Sequence, residues 1–187
     1  MFEHFTTPSE IFHYKLGSAL TMEYDSLEML GDMEKSAMRS DLAELFHEHA
    51  HETRQQIENL QRCFTLLGVE VHQAPSPTTK GLAKESRSFI AKTDNTLVDA
   101  VVLAGALEAG HYAAAVYETL VIQAKIGGVA GIVELLKQNL VLEKAAIEQI
   151  RVASDAIARA DAADQADAAT VPELAVQMPP FLPPGMI

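Results

Sequence analysis

The chain has 187 residues, 26 acidic against 14 basic side chains, and a formal net charge of −12 at pH 7, which suits one domain with a substantial core. No basic face is available to neutralise phosphates, so nucleic acid is not expected as a partner. Cys63 is the only cysteine, which excludes an internal disulfide and fits a reducing cytoplasm. Glu3, His4 and Lys15 interrupt any signal-peptide order at the start, and Glu108 and His111 break the longest apolar run, so no membrane span is expected.

Helical periodicity dominates, with no strand alternation. A first helix is expected from Pro8-Ser9-Glu10 to about Arg39, capped by Thr7 or Ser9. Ser40-Asp41 is expected to cap a second, which runs to Leu67 and stops at Gly68. Residues 69 to 79, with Pro75 and Pro77, read as non-helical and begin a long crossing connection. A short helix over roughly Lys80 to Lys92 interrupts the crossing, and Thr93-Asp94-Asn95 caps a third long helix that ends near Gly127-Gly128. A fourth spans about Ala130 to Arg159. A linker and a Pro-rich tail follow over 161–187, ending Met178-Pro179-Pro180-Phe181-Leu182-Pro183-Pro184-Gly185-Met186-Ile187. Two helix pairs joined by one long crossover describe an all-α, ferritin-like four-helix bundle over residues 1–160.

Each helix advances about 100° per residue, so faces follow from spacing. In the first helix Phe12, Leu16, Ala19, Leu20, Leu27, Leu30 and Ala37 form a stripe with Glu23 at its centre. In the second, Leu42, Leu45, Phe46, Leu60, Phe64 and Leu67 share a face whose middle holds His49, Glu52, Thr53 and Gln56, while His47, Glu48 and His51 point away. The third is apolar on two faces; Leu97, Ala100, Ala104, Leu107, Ala115 and Ile122 define one stripe, with Glu108 and His111 on it. In the fourth, Leu136, Leu140, Ile147 and Ile150 surround Glu143. Buried charge of this amount needs protonation or a cation. Glu23, His49, Glu52, Glu108, His111 and Glu143 are four carboxylates and two imidazoles, the ligand inventory of a di-iron or di-manganese carboxylate bundle. One inward Glu or His taken alone would be a side chain reaching an edge or a hydrogen-bonded core residue. Tyr24 and Tyr112 adjoin the site; Asp99 reads as solvated and Glu118 as a secondary polar contact.

The run from Phe46 to Glu58, FHEHAHETRQQIE, resembles the second-helix signature of the YciE/YciF family of bacterial ferritin-like proteins, H-L-E-E-T-x-x-Q/H-x-E. Similar segments follow in order: Gly81 to Glu85, Asp99-Ala100, His111-Tyr112, Tyr117 to Leu120, and Leu142-Glu143-Lys144. The resemblance covers about residues 10 to 155. It implies a ferritin-like bundle, a homodimer, a di-metal centre and a bacterial stress response. By motif it carries Glu23, His49, Glu52, His111 and Glu143 into the inner wall of that centre, with Glu85 as an outer candidate. The chain departs from the family at Gly110 and Ala113, where acids are usual, and at His51; Glu108 is not a family position.

Two readings follow. The first is a cytoplasmic di-metal oxidase-like or peroxide-handling protein holding two iron or manganese ions. The second is a metal-free dimeric bundle acting as a scaffold or interaction protein, with the second apolar face of the third helix as its interface. With either, the Pro-rich tail reads as a docking peptide for a protein partner, or as a segment packed on its own bundle or dimer mate.

Overall fold

In a computed structural model, residues 4–170 are described, with side chains placed as far as residue 163; the Pro-rich tail lies outside the described residues. All regular structure in this range is helical. Helix α1 (Pro8–Ser36) begins with a reciprocal cap, in which the Glu10 N–H donates to Thr7 Oγ1 at 3.2 Å and the Thr7 N–H donates to the Glu10 carboxylate at 3.0 Å. Helix α2 (Ser40–Leu67) ends at Gly68, whose φ of 69° is the left-handed conformation glycine adopts freely. These two helices pack as an antiparallel hairpin, as do α4 (Val98–Gly127) and α5 (Ala130–Thr170), turning at Gly128 with φ 74°.

The connection between the hairpins contains α3 (Pro77–Ile90) and a 3-10 turn over Asn95–Leu97. The helix starts earlier than the sequence suggests, because Pro77 occupies the first turn, where its missing N–H has no helical role. The crossover lies against α1: Ser18 Oγ donates to Pro75 O at 3.0 Å, and Gly17 leaves room for His72 and Ala74, which a Cβ would meet at 3.1 Å. Thr79 then bonds Asp25 at 2.7 Å, and Arg87 bridges Glu28 and Asp32. Ser86 closes onto Gly105 of α4. This single clasped crossover gives the ferritin-like four-helix bundle of α1, α2, α4 and α5.

Helix α5 continues through Thr170 rather than ending near Arg159. Residues 160 to 170 are mostly alanine, the strongest helix former, and contain neither Gly nor Pro. The expected linker therefore begins as helix. Asp99 also differs from expectation: it is buried and accepts the Met38 N–H at 2.7 Å, tying α4 to the α1–α2 turn.

The core has two apolar halves. Leu16, Leu20, Leu60, Phe64, Leu120 and Leu136 fill one end, and Met33, Leu42, Phe46, Val102, Leu103 and Ile150 the other. Between them lies a polar layer of Glu23, Thr53, Gln56, Asn139 and Glu143.

Candidate functional site: a buried carboxyl pair

Mid-helix positions on α1, α2 and α5 bring Glu23, Gln56, Asn139 and Glu143 to the bundle axis, because each sits on an apolar stripe that the bundle buries. Glu23 is fully buried, Glu143 nearly so. Tyr117 on α4 donates its hydroxyl proton to Glu23 Oε1 at 2.5 Å. Asn139 Nδ2 donates to Tyr117 Oη at 3.0 Å and to the Gln56 carbonyl at 3.1 Å, while its Oδ1 accepts from Asn59 Nδ2 at 2.8 Å. Gln56 Nε2 donates to Glu143 Oε1 at 2.8 Å and to the Asn139 carbonyl at 3.3 Å. The layer thus ties α1, α2, α4 and α5 together.

The two carboxyls are placed so that ionisation is costly. Burial, followed by the charge of Glu143, holds Glu23 well above the usual carboxylate range, against the lowering effect of the Tyr117 hydroxyl. Burial pushes Glu143 up to about 7; the Gln56 amide opposes this and the Glu52 charge adds to it. Burial and the adjoining Glu23 also raise Tyr117, keeping it a neutral donor. Three buried polar atoms nearby lack a protein partner: Glu23 Oε2, His49 Nδ1 and Gln56 Oε1. Beside His49, Thr53, Gly110 and Glu143 lies a cavity of about 10 Å³, room for one water molecule.

His49 is mostly sealed inside and, by burial, its pKa falls to about 4, leaving a neutral imidazole. Glu52 is half-buried at the edge of the layer. The remaining two candidates lie elsewhere: Glu108 and His111 are exposed on the outer face of α4. This corrects the face assigned to that helix. Its inward residues are Val102, Leu103, Ala106, Gly110, Ala113, Tyr117 and Leu120, whereas Leu97, Ala100, Ala104, Ala115 and Ile122 face outward. Both stripes repeat with helical period, and the inward one carries no acid or imidazole beside the carboxyl pair; its one acid, Asp99, sits at the helix start and is held by the Met38 N–H. Gly110 is tight against the pair, since a Cβ there would meet Ile147 Cγ1 at 3.0 Å and lie 3.9 Å from Glu143 Oε2.

Among the described residues, no three His, Cys, Asp or Glu side chains gather into a group able to hold a metal ion. The six-ligand set therefore does not assemble, and a dinuclear centre does not fit the donors present. Glu85 is exposed on α3 and Tyr24 is exposed; Glu118 pairs with Lys144 at 2.7 Å on the surface. Tyr117, Asn59 and Asn139 were not singled out from the sequence as members of the layer. Asn139 carried a usable signal, lying one turn before Glu143 on the face of Leu136.

Residues 7–163 match the family described as a domain of unknown function, DUF892. The chain belongs to this family. The stress protein YciF of Escherichia coli is 28% identical over 141 residues, covering 74% of this chain and 85% of YciF. Its crystal structure superposes with a TM-score of 0.79 at 25% identity, over 83% of this chain and 99% of that one. YcfI of Rhodopseudomonas palustris, provisionally described as a structural protein, gives a TM-score of 0.78 at 31% identity, covering 81% and 98%. These likenesses bear out the YciE/YciF resemblance and the helical-bundle fold. In this DUF892 chain, Asn95–Gly127 is long and apolar enough to cross a membrane by length and composition, Glu108 and His111 notwithstanding; its inner stripe is the bundle core.

Proposed function

We propose that this protein is a non-catalytic member of the family: a dimeric helical scaffold of the bacterial stress response, working in the cytoplasm. One observation carries the reading. Helix α4 turns Ala106, Gly110 and Ala113 toward the carboxyl pair, so the helix that would complete a dinuclear centre supplies no ligand. The polar layer then acts as a register device. Each amide, hydroxyl and carboxyl finds its partner only when the four helices are in one alignment. The names of the Escherichia coli and Rhodopseudomonas palustris relatives, a stress protein and a structural protein, support the same direction.

The unpartnered Glu23 Oε2, His49 Nδ1 and Gln56 Oε1 favour a second, reduced metal reading. In it one divalent cation, rather than two iron or manganese ions, is held by the Glu23 and Glu143 carboxyls alone, with water completing its shell. The test is thermal melting of the full chain with and without ferrous or manganous ion. The scaffold reading expects an unchanged Tm, whereas a ligand present at 100 times its Kd stabilises by about 2.7 kcal/mol. A rise abolished by Glu143→Gln would transfer the assignment to the cation.

A further inference from the structure

At the end of the bundle where α1 begins and α2 ends, a groove of about 350 Å³ is lined by Ile11, Phe12, Leu67, Ile126, Val129 and Ile132. Gln123 also lines it, and its Oε1 is buried without a partner. The groove therefore offers an apolar trough with one unpaired acceptor, which suits an extended apolar peptide carrying free N–H groups. Such a peptide exists in this chain: residues 174 to 187 hold no ionisable side chain and include Phe181, Leu182, Met186 and Ile187.

Reach decides which copy supplies Phe181 and Leu182, the first large apolar pair of the peptide. Helix α5 starts at the groove and ends at Thr170, about 60 Å away at 1.5 Å per residue. Phe181 lies 11 residues beyond Thr170, so a fully extended chain carries it only about 40 Å. A chain cannot bring its own Phe181 to its own groove. A second copy can, if the two α4 helices pair antiparallel. The outer stripe of α4 permits this pairing: Leu97 is 51% exposed, Ile122 60% and Ile126 83%, with Ala100, Ala104 and Ala115 between them. Its midpoint falls at His111. Pairing about that point sets Leu97 against Ile126 of the second copy and Glu108 within a turn of the second His111. The second copy's α5, antiparallel to its own α4, then runs alongside the first α4 and delivers its Thr170 near the groove.

We infer that the Pro-rich tail of one copy docks in the apolar groove of a second, closing an antiparallel dimer across the outer face of α4. This rests on the dimer of the proposed function and names its interface. The test uses the full chain carrying Ile126→Cys and Phe181→Cys, oxidised with copper phenanthroline. Cys63 is fully buried and free, so the introduced thiols are the reactive pair, and the exposure of Ile126 makes that substitution compatible with folding. The expected result is a disulfide-linked dimer on a non-reducing gel, absent from either single variant and from Val152→Cys with Phe181→Cys. A monomer with an internal link, or no link above the single variants, overturns the inference. Sedimentation of the reduced double variant separates the two failures: an unlinked dimer removes only the tail docking, while a monomer removes the dimer as well.

Discussion

Glu143 carries the pH dependence at the scale of single residues. Its pKa rises from an ordinary 4.5 to about 7 in the fold. Between those values the folded chain holds a proton that the unfolded chain has released. The resulting stabilisation is complete below about pH 4.5 and is lost as pH rises through 7. His49 acts in the opposite sense: lowered from 6.5 to about 4, it contributes fully above 6.5 and loses that contribution as pH falls through 4. The difference between wild type and Glu143→Gln isolates the carboxyl. The variant gains Tm relative to wild type from pH 5 to pH 8, by about 5 °C or more; parallel curves would remove the buried-proton account. Tyr117→Phe leaves Glu23 without its donor and Asn139 Nδ2 with only one of its two acceptors, the Gln56 carbonyl, and should cost about 1–3 kcal/mol in urea unfolding. Cys63 is a contrasting case: burial pushes its thiol up to about 12, so thiol reagents should leave it unmodified until the chain unfolds.

Individual elements differ in how far they could be read ahead of the structure. Helices α1 and α2 declared their ends through Thr7, Pro8 and Gly68, and their inward faces through one apolar stripe each. Glu23 and His49 accordingly face inward, as Glu143 does on the apolar stripe of α5. Helix α4 was not legible in the same way, because it is apolar on two sides and spacing alone does not say which side meets the bundle. The stripe read as core is real, but it faces outward, and Glu108 and His111 went with it. Helix α5 outran its expected end because alanine propensity persists where no apolar stripe remains. Turn chemistry can be tested at Gly128, whose φ of 74° strains any side chain. Gly128→Ala should lower stability by about 1–2 kcal/mol, measured by denaturant unfolding.

For the whole molecule, the resemblance supplied the fold, whereas the chemistry depends on what each helix turns inward. A ferritin-like scaffold normally meets buried carboxylates with cations; here Tyr117, Gln56 and Asn139 bond within the same layer, and on the proposed scaffold reading protons supply the neutralisation. On that reading the outer face of α4 and the end groove are the surfaces through which the proposed scaffold acts. The most direct test of the central claim is metal content by elemental mass spectrometry, after anaerobic loading of the full chain with ferrous or manganous ion and removal of unbound metal. Fewer than one ion per chain, unchanged by Glu143→Gln, is the result expected of a proton-neutralised layer. About two ions per chain, lost in that variant, would contradict it and restore a dinuclear centre.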